Sequence, residues 1–147
     1  MMMKKMMMHN INNKNIMPGI FMMIAILVLQ FFLGMYVNLF VSFNAINSLS
    51  MIMFNIPMII MIHMMMGFLI LGLSIFIFML SVMKQNNLLS IIAFISIILV
   101  IIAGVSGIEF LFSENNIFSY SMALSFIILF LMQFIYLYKL LTIKDRQ

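Results

Sequence analysis

Cysteine is absent from the 147 residues. Disulfides, thiol catalysis, Cys-ligated zinc and iron–sulfur clusters are thereby excluded. Tryptophan is absent too, so any aromatic belt at a membrane interface must come from Tyr and Phe. Charge is scarce: 7% of residues are Asp, Glu, Lys or Arg, against about 25% in ordinary soluble domains. So few charged side chains cannot cover the surface of a water-soluble fold, and disorder needs low hydrophobicity. Sequence signatures of a P-loop, a dinucleotide fingerprint, an HExxH helix or a Ser/His/Asp constellation are missing as well. Ionisable groups are too few for most general acid–base chemistry.

What is present is apolar. Hydrophobic residues make up 67% of the chain, and mean hydropathy is +1.30. The chain therefore reads as an integral membrane protein, all-α, rather than a soluble domain. Four apolar runs stand out, from about Met17 to Val41, Asn55 to Met83, Leu88 to Phe112 and Ile117 to Leu141. Each reaches the ~20 residues a helix needs to cross ~30 Å of hydrocarbon. None alternates strictly between apolar and polar residues, which argues against a β-barrel. Residues 1–16 and 142–147 read as short tails. A cleaved signal peptide has an apolar core of about 7–15 residues; the first run is about 25, and an uncleaved span is expected.

Pro18 and Pro57 sit near the starts of the first two spans, where a missing N–H costs least. Lys84-Gln85-Asn86-Asn87 and Ser113-Glu114-Asn115-Asn116 read as tight polar turns, whereas the uncharged stretch from Ser42 to Phe54 reads as lying on the membrane surface. With alternating spans, Lys4, Lys5, Lys14, Lys84, Lys139, Lys144 and Arg146 all fall on one side. Glu109 and Glu114 fall on the other. The positive-inside rule predicts an up-down-up-down bundle with both termini in the cytoplasm and the chain in the cell membrane.

The polar residues inside the spans are Gln30, Asn38, His63, Glu109 and Gln133. Gln30, Gly34 and Asn38 share one helix face, as do His63 and Gly67, so these stripes are expected to face the bundle interior. They are also expected to gather toward the outer leaflet, where an interior pocket could open. Small residues are expected at helix contacts: Gly34, Gly67, Gly72, Ser74, Ala103, Gly104, Ser106 and Gly107.

His63 is the one ionisable residue deep in the apolar runs and admits three readings. It serves as a structural histidine, bonded to Asn38, Glu109 or a backbone carbonyl. Alternatively it is an axial ligand of a haem b, with Gly67 giving room for the macrocycle. In the third reading it shares a quinone or proton site with Glu109. Ligation by two histidines within one chain is excluded, because the second histidine, His9, precedes the spans. A methionine ligand would have to come from another span, for example Met35 or Met122. The N-terminal cluster Met1-Met2-Met3-Lys4-Lys5-Met6-Met7-Met8-His9 has soft donors that suit copper(I), but the chain holds 21 methionines throughout, so such a cluster carries little information.

Several segments carry a resemblance: Leu33-Gly34-Met35-Tyr36-Val37-Asn38-Leu39, His63-Met64-Met65-Met66-Gly67, Ala103-Gly104-Val105-Ser106-Gly107-Ile108-Glu109-Phe110-Leu111 and Ser121-Met122-Ala123-Leu124. Together they resemble a group of small four-helix membrane proteins of archaea and bacteria, of undefined function. Through them the chain resembles one half of haem A synthase, a cytochrome b-like four-helix bundle. That resemblance implies a haem on His63. The second histidine and the Glu–Arg–His type motif of haem A synthase are absent here. The functional expectation is a small, non-catalytic integral subunit of a larger membrane complex, respiratory or electron-transferring. The alternatives are a haem b electron carrier using His63, and a quinone site or transporter subunit.

Overall fold

A computed structural model describes residues 13–40 and 57–142. It contains α1 (Asn13–Phe40), α2 (Met58–Met83), α3 (Asn87–Ser113) and α4 (Asn116–Thr142), and no strand among the described residues. Each helix is long and apolar enough to cross a membrane, and the chain is a multi-pass membrane protein. The segment from Ser42 to Phe54, the N-terminal methionine cluster with His9, and the last five residues lie outside the described residues.

The helix ends follow the local chemistry. Pro57 precedes α2, and its carbonyl accepts from the Ile60 N–H at 2.9 Å. The Asn86 side chain caps α3 by accepting from the Leu89 N–H at 3.0 Å, and Asn115 does the same for Ile117 of α4 at 3.0 Å. Gln85 and Glu114 close α2 and α3 in the left-handed region, with φ of 55° and 50°. α1 begins at Asn13, four residues before the apolar run, which places Pro18 inside the helix. The added turn is anchored from outside: the Lys84 ammonium, just past α2, donates to the Asn13 side chain.

Buried and half-buried positions recur at spacings of three and four. On α1 the seam is Ile16, Ile20, Met23 and Leu27, running on through the half-buried Gln30 and Gly34 to Val37. On α2 it is Ile60, His63, Gly67, Ile70, Ser74, Ile77 and Ser81. On α4 it is Ser125, Leu129, Gln133, Tyr136 and Leu140. Such 3–4 spacing is the seam of helices that pack nearly side by side. α1 packs on α2 and α4, and α3 packs on the same two, so the four form a ring. Among the described residues no backbone approach joins α1 to α3 or α2 to α4 across the ring.

Large apolar side chains cover the outside. Phe32, Leu39, Phe68 and Tyr138 are each more than 60% exposed, which water would penalise but acyl chains solvate. Tyr36 and Tyr120 stand exposed toward one end of the bundle and Tyr138 toward the other, which is how a chain without Trp supplies interfacial aromatics.

Candidate functional site

The polar seam residues meet in pairs across helix boundaries. The central one joins α1 to α2. Gln30 Nε2 donates to the His63 backbone carbonyl at 3.1 Å and lies 3.3 Å from His63 Nε2. The two side chains are seated by glycines on the opposite helix. A Cβ at residue 34 would lie 3.1 Å from His63 Cε1, so the imidazole rests on the α1 backbone. A Cβ at residue 67 would lie 3.8 Å from Gln30 Nε2. The arrangement is reciprocal: Gln30 and Gly34, one turn apart on α1, match Gly67 and His63, one turn apart on α2.

With Nε2 of His63 facing an N–H donor, its proton belongs on Nδ1. That Nδ1 and Gln30 Oε1 are buried without a partner among the described residues. The site thus holds one unused donor and one unused acceptor beside a completed interhelical bond.

The haem implied by the resemblance does not fit this arrangement. An axial ligand must present a ring nitrogen to open space. Nε2 is engaged by Gln30, Nδ1 is sealed from contact, and the Cε1 edge of the ring abuts Gly34. The place beside Gly67 reserved for a macrocycle holds the Gln30 amide. Met122 points its sulfur at Gly107, 3.4 Å from where a Cβ would stand, and Met35 is exposed. Among the described residues no group of three or more His, Asp or Glu side chains converges as a metal site.

Asn38 and Glu109 do not join His63. Asn38 is exposed and accepts from the Ser119 hydroxyl of α4 at 3.5 Å. Glu109 is exposed, and its backbone carbonyl accepts from the Ser113 hydroxyl at 2.7 Å. The expectation that either would hydrogen-bond the imidazole is corrected: the partner is Gln30, at a height on α1 that helical period alone does not specify.

A second polar layer lies in the half of the bundle nearer Lys84. Gln133 Nε2 donates to Ser96 Oγ at 3.1 Å, and both residues are buried. Tyr136 reaches across the ring to place its hydroxyl 2.6 Å from Ser81 Oγ, which itself donates to the Ile77 carbonyl at 2.7 Å. In the opposite half, Ser106 donates to Ser121 at 3.0 Å, tying α3 to α4. Between Ser74, Ser96, Gln133 and Tyr136 runs a crevice too narrow to admit a water molecule. It lies beside Ser96 and Gln133, not among Asn38, His63 and Glu109 where an outer-leaflet pocket was expected, and it is no lumen.

Sequence reasoning missed Ser81, Ser96 and Tyr136. Their signal was available: Ser81 continues the seam of Ser74 and Ile77, and Tyr136 lies three residues beyond Gln133. Two of the small residues expected at helix contacts are not there. Gly72 and Gly104 are exposed, and a Cβ at either would meet nothing within 4 Å. No protein-family model, curated protein or solved structure matches this chain.

Proposed function

We propose that this chain is a small, non-catalytic, multi-pass subunit of a larger membrane complex. The carrying observation is how the intramembrane polar groups are used. Gln30 with His63, Ser81 with Tyr136, Gln133 with Ser96 and Ser106 with Ser121 are joined in helix-to-helix hydrogen bonds, and the polar atoms left over, His63 Nδ1, Gln30 Oε1 and Ser74 Oγ, are buried. The crevice between Ser74, Ser96, Gln133 and Tyr136 admits no water, whereas a channel lining needs polar groups facing a lumen. Meanwhile Gly72 and Gly104 present bare backbone to the outside, where small residues permit close approach of another helix. A respiratory or electron-transfer complex is the partner class to test first.

The test is purification of the tagged chain from native membranes in mild detergent. A larger membrane protein in fixed stoichiometry is expected, with no Soret band. Gly72→Leu and Gly104→Leu should reduce that association while leaving the chain's own unfolding midpoint unchanged. A chain that purifies alone, or one with a Soret band lost in His63→Ala, overturns the reading.

The threading belongs to the same proposal: spans running up-down-up-down in the cell membrane, with both termini cytoplasmic. It is supported by the contact of Lys84 with Asn13 and by the one-sided distribution of Lys and Arg. Because the chain has no cysteine, single-cysteine variants need no altered background. An impermeant maleimide should label Asn116→Cys in intact cells and Asn87→Cys only after lysis. Labelling of Asn87→Cys from outside sinks the orientation.

A further inference from the structure

We propose that the Gln133 amide is a two-position latch inside the bundle, closing either on Ser96 of α3, where it stands in the structure, or on Ser74 of α2. The starting observation is a serine that departs from its neighbours. Ser81 and Ser96 each donate to the carbonyl four residues back, at 2.7 and 3.0 Å, a common use of a serine proton inside a helix. Ser74 is 2% exposed, yet its hydroxyl neither returns to its own helix nor finds another partner among the described residues. A buried hydroxyl in that condition is costly, and a reachable partner relieves it.

The crevice that Ser74 lines decides which group can meet it. Met23, Ile77 and Ala93 supply the apolar walls, and Ser96, Gln133 and Tyr136 the other polar side chains. Ser81 spends its proton on the Ile77 carbonyl, so the Tyr136 hydroxyl donates to Ser81 and has no proton left for Ser74. Ser96 donates to the Ile92 carbonyl and accepts from Gln133. The Gln133 amide has capacity in hand: an amide can make four hydrogen bonds, and among the described residues this one makes a single bond. It is 2% exposed, and the crevice admits no water to take up the remainder.

Rotation about the side-chain bonds of Gln133 carries the amide along the crevice from one hydroxyl to the other. The exchange trades one interhelical bond for another and breaks no backbone hydrogen bond. In the first position Gln133 ties α4 to its neighbour α3. In the second it ties α4 to α2 across the ring, beside the bond that Tyr136 already makes to Ser81. Two nearly equal internal bonding patterns make a bistable element, and a partner that bears on α4 shifts the balance by favouring one of them. The latch itself belongs to the isolated chain and does not depend on a partner complex.

It is therefore tested on the purified full chain in micelles, with the side-chain amides labelled with nitrogen-15. Nuclear Overhauser contacts of the Gln133 amide protons should fall on the Ser96 β-protons in the native chain and move to the Ser74 β-protons in Ser96→Ala. Microsecond-to-millisecond exchange is expected at Gln133 Nε2 in the native chain and should vanish in Ser74→Ala. Denaturation reads the same exchange. Ser74→Ala alone should not raise the unfolding constant, since no bond is lost, and Ser96→Ala alone should raise it less than about twofold, since the amide closes again on Ser74. The double variant should exceed the product of the two single effects by about threefold, the average contribution of an interhelical hydrogen bond in a membrane. A native amide without exchange, a Ser96→Ala variant without contact between Gln133 and Ser74, or single effects that simply multiply in the double variant overturns the proposal.

Discussion

Tyr136→Ala should lower the stability of the bundle by about 3 kcal/mol, the low end of the ~3–5 kcal/mol typical of aromatic truncations. The low end applies because unpacked helices remain in lipid, so the transfer part of the loss largely vanishes and the cavity part persists. Tyr136 is 1% exposed and is the largest fully buried side chain. Its hydroxyl also joins α2 to α4 across the ring, through Ser81. Tyr136→Phe keeps the ring and loses the hydroxyl, so about 0.6 kcal/mol is expected, the average for interhelical hydrogen bonds in membranes, and no more than about 1.7 kcal/mol, their maximum. Ser81 still donates to the Ile77 carbonyl, which limits the cost. Denaturation titrations in micelles, monitored by far-ultraviolet circular dichroism, give both numbers. If the Ala and Phe variants unfold together, the ring is not packed at the bundle centre.

Gly34→Leu should cost about 3 kcal/mol, the upper end of ordinary overpacking. A Cβ alone would already stand 3.1 Å from His63 Cε1. The ring has backbone on one side and Gln30 at its Nε2, so it cannot yield to a branched side chain without breaking the α1–α2 contact. Gly104→Leu is the control, since its Cβ would meet nothing within 4 Å, and a change within about 0.5 kcal/mol is expected. The same titration reads both, and similar midpoints for the two variants would remove the Gln30–Gly34/His63–Gly67 interlock. The pairing also explains why Gln30→Leu should be milder than His63→Leu. Loss of the amide frees the imidazole Nε2 but leaves the ring seated on Gly34, whereas loss of the ring empties the seat on Gly34 and leaves Gln30 only the backbone carbonyl of residue 63 to bond.

Much of this protein is legible along the chain because the relevant interactions are local. Mean hydropathy and run length determine that there are four spans, since a backbone in hydrocarbon must satisfy its own hydrogen bonds within each segment. The polar tetrads around Lys84 and Ser113 mark the turns, and Asn86 and Asn115 serve there as caps. Helical period likewise places Gln30, His63 and Gln133 on inward faces, where their bonds are found. Small residues were less informative. Gly34 and Gly67 lie at a contact while Gly72 and Gly104 do not, because a glycine has no side chain whose polarity tells which way it faces.

Period and composition by themselves determined the class of the protein, the number of its helices and the inward direction of Gln30, His63 and Gln133, since each depends on neighbours within one or two turns. Only the tertiary structure decided that His63 meets Gln30 rather than Asn38 or Glu109, that its ring is closed to a macrocycle, and that Tyr136 crosses the ring to Ser81. Those pairings depend on how far each helix is slid and rotated against the next. That offset is set by all the packed side chains of the seam together, so no single segment encodes it.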